Sequence, residues 1–148
     1  MHILQTQISI NAPAERVWSL LVDFPGHRRW NPFIVSLEGS PEVGKALEVL
    51  IQPVEAKAMR FRPTVLAVEE HRELRWKGKL LLPGIFDGEH YFKLVPRPDG
   101  GILFEQGELF SGVLVPFFKR SLDVATKQGF VAMNVALKRE AEAGRREG

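Results

Sequence analysis

The sequence predicts an α+β fold in which about seven antiparallel strands pack against one long C-terminal helix, on three observations. Leu4, Thr6, Ile8 and Ile10 alternate at the period of a strand before the period changes. From Ile34 to Phe110, apolar runs are cut by Gly39, Pro41, Gly44, Pro53, Pro83-Gly84 and Pro98-Asp99-Gly100, and such short connections favour an antiparallel meander. Phe118, Leu122, Ala125, Thr126, Gly129, Phe130, Met133 and Leu137 then recur at helical spacing.

The elements follow in order. Asn11-Ala12-Pro13-Ala14-Glu15 ends the first strand and starts a helix, since proline suits a first turn, and Ala14, Val17, Trp18 and Leu21 continue it until Phe24-Pro25-Gly26 breaks it. His27 to Asn31 form another short helical turn before Pro32. Strands are expected over Ile34–Glu38, Ala46–Gln52, Arg60–Glu69, Glu73–Lys79, Phe86–Val95 and Ile102–Phe110, and the last helix over Pro116 to Ala141. Ala143 to Gly148 reads as a frayed polar tail.

A chain of 148 residues, 45% of them hydrophobic, forms one domain spanning 1–148 with a real core. Its charges are mixed and sum to +2, so no concentrated field invites nucleic acid. There is no cysteine, hence no disulfide, thiol nucleophile or thiolate metal site. His2, His27, His71 and His90 are scattered without metal-ligand spacing, and no phosphate-binding glycine motif occurs, so neither a metal nor another cofactor is expected. No run approaches the roughly 20 apolar residues of a membrane span, and a soluble cytoplasmic protein is the expectation.

The most informative stretch is the hairpin on either side of Pro98-Asp99-Gly100. If those three residues form the loop, His90 falls opposite Glu108, Phe92 opposite Gln106 and Leu94 opposite Phe104. All of these, with Phe110, then share one face. An apolar wall interrupted by a His, a Glu and a Gln reads as the lining of a ligand cavity, because buried polar groups need partners that a hydrocarbon core cannot supply. The bland alternative is a satisfied His–Glu pair in an ordinary core.

The order of elements also resembles that of the START/polyketide-cyclase superfamily, also called SRPBCC. The resemblance is carried by Ala12-Pro13-Ala14-Glu15-Arg16-Val17-Trp18, Trp30-Asn31-Pro32-Phe33, Leu74-Arg75-Trp76, Gly88-Glu89-His90-Tyr91-Phe92 and Glu108-Leu109-Phe110-Ser111-Gly112, and covers nearly the whole chain. It implies a helix-grip fold, a curved sheet wrapped around the C-terminal helix, with a deep cavity for apolar or amphipathic small molecules between them. Members of the superfamily differ in activity, so function must come from the site.

Trp76, Phe86, Phe92, Phe104, Phe110, Phe118 and Phe130 are the expected inward aromatics, with Trp30 and Phe33 near the mouth, and Leu122 on the facing helix. Either these rings line a pocket for a small hydrophobic molecule or they fill it themselves. Gly129 points to a close approach at the helix, since a helix-interior glycine costs about 1 kcal/mol against alanine. Gln106 and Thr126 are placed to orient a hydroxyl or carbonyl. Trp30 to Phe33 should form part of a rim facing the loops at Pro83-Gly84 and Gly112 to Pro116.

Three functions compete on this reading: a binding or transport protein for a lipid, quinone or aromatic polyketide-like molecule; a cyclase- or dehydratase-like enzyme using His90 and Glu108 as an acid–base couple; and an interaction module without a ligand. The first is favoured. On the last helix, Arg120, Asp123, Lys127, Asn134 and Lys138 form an expected polar flank. Phe117, Val124, Val131 and Val135 form a second apolar stripe, which would suit a homodimer.

Overall fold

The computed structural model describes residues 1–80 and 84–146, so Pro83 of the expected rim lies outside the described residues. Strand β1 (His2–Ile10) leads into α1 (Ala14–Val22), a 3-10 turn (Phe24–Gly26) and α2 (His27–Trp30). Seven further strands follow: β2 (Ile34–Glu38), β3 (Glu48–Ile51), β4 (Met59–Phe61), β5 (Thr64–Glu69), β6 (Glu73–Leu80), β7 (Phe86–Pro96) and β8 (Ile102–Ser111). Helix α3 (Val115–Ser121), a π-helical stretch (Leu122–Thr126) and α4 (Lys127–Arg146) run on without a break.

Among the described residues the strands number eight, against the expected seven or so, because Arg60–Glu69 is two strands. Pro63 divides it: proline has no N–H to donate to a ladder. β4 pairs with β3 in a three-stranded sheet of order β2-β3-β4, whereas β5 closes the five-stranded sheet of order β1-β8-β7-β6-β5. The pairings are antiparallel throughout.

The β7–β8 hairpin takes the register its loop dictates, with His90 opposite Glu108, Phe92 opposite Gln106 and Leu94 opposite Phe104. Arg97 N–H donates to the Gly101 carbonyl at 2.9 Å, and Gly100 turns the chain at φ +90°, a left-handed conformation that favours glycine. A one-residue slip would put every one of these side chains on the other face.

The last helix also differs from expectation at both ends, running from Val115 to Arg146. Fully buried Ala141 anchors its final turns, Glu142 accepts from the Asn11 backbone N–H at 2.8 Å, and Lys138 pairs with Glu142 at 2.6 Å, so Ala143 continues the helix where a frayed tail is expected. Phe130, Met133, Leu137 and Ala141 form its fully buried stripe. Asn134 belongs to that stripe as well and not to the polar flank, for the reason given below. Val124 and Val131 are exposed and Val135 is half-buried.

Candidate functional site

Between the two sheets and the C-terminal helix lies a cavity of about 320 Å³. Strands β6, β7 and β8 give it one wall through Trp76, Phe86, His90, Glu108 and Phe110, and α3 with the π-helical stretch gives another through Phe118, Leu122 and Thr126. Phe33 lines it from the start of the second sheet. Val49, Ile51, Met59 and Phe61 of β3 and β4 complete the enclosure. These last four escaped the sequence reading because short strands carry too few alternations to reveal their inner face. Phe86 and Phe118 meet edge to face, 5.7 Å between centroids, and Phe118 is half-exposed although it lines the cavity. The π-helical winding coincides with the part of the helix that passes over the cavity; such stretches often mark functional sites.

The remaining expected lining residues lie elsewhere. Phe92, Phe104 and Phe130 are fully buried beyond the lining, Phe92 stacking on Phe104 at 6.1 Å, because at that end the rings fill the interior themselves. Gln106 is fully buried among them. Trp30 does not line the cavity; its indole lies against the His27 ring at 4.9 Å. The Trp30-Asn31-Pro32-Phe33 segment is therefore no rim apart from Phe33. Buried Asn31 organises it as a turn, its Oδ1 accepting the backbone N–H groups of Phe33 and Ile34, both at 2.9 Å. The loops at Gly84 and Gly112 do meet, the Val113 N–H donating to the Gly84 carbonyl at 3.1 Å.

The close approach at Gly129 is made by Phe33. A Cβ there would collide with the Phe33 ring, which packs edge to face on Phe130 at 5.4 Å. The helix thus gives up a side chain to seat a residue of the cavity wall.

His90 stands at the boundary of the open and filled ends, 5% exposed, stacked on Trp76 at 5.6 Å and touching Phe130 edge-on at 4.9 Å. Its Nε2 lies 2.9 Å from Gln106 Oε1 and its Nδ1 2.8 Å from Glu108 Oε1. The orientation of Gln106 is fixed from outside. Its Nε2 donates to Asn134 Oδ1 at 2.7 Å and toward the Phe130 carbonyl at 3.4 Å. Asn134 Nδ2 donates to Thr6 Oγ1 at 2.9 Å, and the Thr6 hydroxyl donates to the Gln106 backbone carbonyl at 2.9 Å. Carbonyls only accept, so both ends of this network are determined and each amide has one satisfactory orientation.

Gln106 consequently turns its oxygen toward His90, and Nε2 must carry a hydrogen. On the other side of the ring, an unprotonated Nδ1 facing a carboxylate would oppose two lone pairs. The pair therefore holds one proton between Nδ1 and Oε1, either as imidazolium with carboxylate or as neutral imidazole with carboxylic acid. Thr6 and Asn134 complete this network, and the sequence reading missed both. The available signal was that Asn134 follows Phe130 and Met133 on the buried stripe, and that Thr6 shares its face with Leu4 and Ile10.

Glu108 has a second oxygen. Its Oε2 lies over Gly88, where any Cβ would collide with it, and both residues line the cavity. A glycine inside a strand marks such a close backbone approach, which was the readable sign.

A curved sheet assembly, a long helix and a cavity between them define a helix-grip protein, with a His–Glu pair as the polar part of its cavity wall. The chain belongs to the polyketide cyclase/dehydrase and lipid transport family, whose model matches residues 1–142. Solved structures share the fold. Protein MLL2253 from Mesorhizobium loti is 21% identical, with 96% of this chain and 98% of that one covered at a TM-score of 0.74. A START superfamily protein from Mycobacterium smegmatis is 18% identical over 97% and 99% of the two chains, TM-score 0.72. The Zhui aromatase/cyclase from a Streptomyces species is 14% identical over 95% and 93%, TM-score 0.77. No curated protein matches. Among the described residues, no helix is long and apolar enough to cross a membrane.

Proposed function

We propose that the protein binds a small apolar or amphipathic molecule, a lipid, quinone or aromatic polyketide-like compound, in the cavity between its sheets and C-terminal helix. The observation that carries this reading is an apolar enclosure of about 320 Å³ that the protein's own aromatics leave open, with the His90–Glu108 pair on its wall. Its size lies at the lower end of ligand pockets, and a few convergent polar groups in an apolar lining are what orient a ligand. A module acting only through its surface has no use for such a space.

The shared proton of His90 and Glu108 supports a second reading, a cyclase- or dehydratase-like enzyme. In that case Glu108, through Oε2, is the group that touches the substrate, and His90 is the positioning residue that supplies or stores the proton. The exposed Val124 and Val131 further support a homodimer, with half-buried Val135 at its margin. Sedimentation of the wild type against the double variant Val124→Lys/Val131→Lys tests that part: a monomeric wild type refutes it.

For the principal reading, protein purified without denaturation is analysed by native mass spectrometry for bound lipids, quinones and aromatics, then stripped and titrated with 1-naphthol by calorimetry. A co-purifying molecule or saturable one-site binding is expected. An empty preparation that also fails to bind the probe would refute the reading.

A further inference from the structure

We propose that the cavity selects molecules with a neutral hydrogen-bond-donating end, an alcohol or a phenol, and discriminates against carboxylates. This rests on the binding reading above and names the chemistry of its ligand.

The reasoning concerns which hydrogen-bonding valences are left over. Both nitrogens of His90 are consumed inside the protein, Nε2 by Gln106 and Nδ1 by Glu108. The imidazole, although it lines the cavity, has no hydrogen to offer. In Glu108, Oε1 is engaged with His90, and Oε2 is left above the bare backbone of Gly88. With one proton held between Nδ1 and Oε1, Oε2 is an acceptor in both forms of the pair. A ligand that satisfies it must bring an O–H or N–H. An ether, ketone or carboxylate oxygen placed there would oppose it lone pair to lone pair, and a carboxylate would in addition give up its hydration to apolar walls.

Among the described lining residues, the remaining hydroxyls and the ammonium do not reverse that preference. Of the other polar lining residues, Ser121 and Lys79 are exposed to solvent, so an ammonium is available only where water competes for it. Thr126 can donate or accept and does not discriminate. Trp76, stacked on His90, offers a flat face beside the acceptor. The preferred ligand is therefore a flat apolar molecule bearing a hydroxyl.

Calorimetric titration of the ligand-free protein with 1-naphthol, 1-methoxynaphthalene and 1-naphthoate separates the possibilities, because the three share one ring system. The expected order is 1-naphthol about tenfold tighter than 1-methoxynaphthalene, as for one hydrogen bond that the ether cannot make, with 1-naphthoate weakest. Glu108→Leu should abolish the preference for 1-naphthol over 1-methoxynaphthalene. Glu108→Gln should keep it, since the amide can donate to Nδ1 and still present an oxygen. Equal binding of the first two probes, or tightest binding of 1-naphthoate, overturns the inference while leaving the binding reading intact. Failure of all three to bind overturns the binding reading itself, and the inference with it. The wild-type protein alone decides between these outcomes.

Discussion

The two ends of the interior are built from the same kind of residue and have opposite outcomes. At one end Phe92, Phe104 and Phe130 are fully buried, Phe92 stacking on Phe104 and Phe130 meeting Phe33 edge to face. At the other, Phe33, Trp76, Phe86, Phe110 and Phe118 surround open space. Aromatic content therefore does not decide between core and pocket. The filled end lies beneath the buried stripe of α4, and the open end lies where a separately hydrogen-bonded sheet, β2-β3-β4, forms the opposite wall.

Two histidines repeat the contrast at the scale of single groups. His27 and His90 are buried alike, 1% and 5% exposed. His27 donates from Nε2 to the Leu21 carbonyl at 2.8 Å and accepts at Nδ1 from Asn31 at 3.0 Å, one donor and one acceptor partner, as a neutral ring requires. His90 faces two oxygens and needs a proton shared with Glu108. Burial alone does not separate the two rings; the donors and acceptors they face do.

The comparison of the two ends breaks most visibly under truncation. Phe104→Ala in the filled end should cost about 3–5 kcal/mol by chemical denaturation, whereas Phe118→Ala at the half-exposed mouth should cost under about 1 kcal/mol. Equal losses would mean that the open end is packed in solution.

Next in size, Asn134→Leu removes the partners of Gln106 Nε2 and Thr6 Oγ1 at a fully enclosed site. A loss of about 1–3 kcal/mol in denaturation is expected. Gln106 would then be held only by the long contact to the Phe130 carbonyl, and the tautomer of His90 would be less firmly fixed.

Gly129→Ala sharpens the same boundary. The new Cβ collides with Phe33, but that ring borders the cavity and can be pushed into it. Overpacking of about 1–3 kcal/mol is offset by about 1 kcal/mol of helix propensity, so a net loss of about 1 kcal/mol is expected, with weaker binding of 1-naphthol. Unchanged binding would place the displaced ring elsewhere.

The smallest effect concerns His27, whose imidazole burial holds below the ordinary histidine range despite the Leu21 hydrogen bond and the nearby Asp23, both of which act upward. The folded state favours the neutral ring, so its contribution to stability is complete above a pH of about 6.5 and is lost as pH falls below that toward the lowered value. Melting temperatures between neutral and mildly acidic pH should decline in the wild type, and His27→Gln should reduce that slope. An unchanged slope would assign the acid sensitivity to other groups.

Much of this was legible in the sequence. The parity of His90, Phe92 and Leu94 against Phe104, Gln106 and Glu108, with the loop at Pro98-Asp99-Gly100, suffices to place the pair and its register. What stayed hidden depends on three-dimensional closure. Phe92 and Phe130 are indistinguishable from Phe86 and Phe118 by periodicity, and only the coordinates separate filler from lining. Asn134 was hidden because a polar residue at the edge of an apolar stripe reads as exposed until its partners, Gln106 and Thr6, arrive from distant strands. The division at Pro63 could have been read from proline's missing N–H.

The central claim is that Thr6, Asn134 and Gln106 hold a hydrogen on His90 Nε2, leaving Glu108 Oε2 as the polar group the cavity offers. Long-range ¹H–¹⁵N correlation spectra of the imidazole rings, with His90 assigned by the loss of its signals in His90→Asn, report the state of each nitrogen directly. The expected result is a hydrogen on Nε2, with a second proton either on Nδ1 or on the Glu108 oxygen that faces it. A neutral ring with its hydrogen on Nδ1 and none on Nε2 would contradict the account.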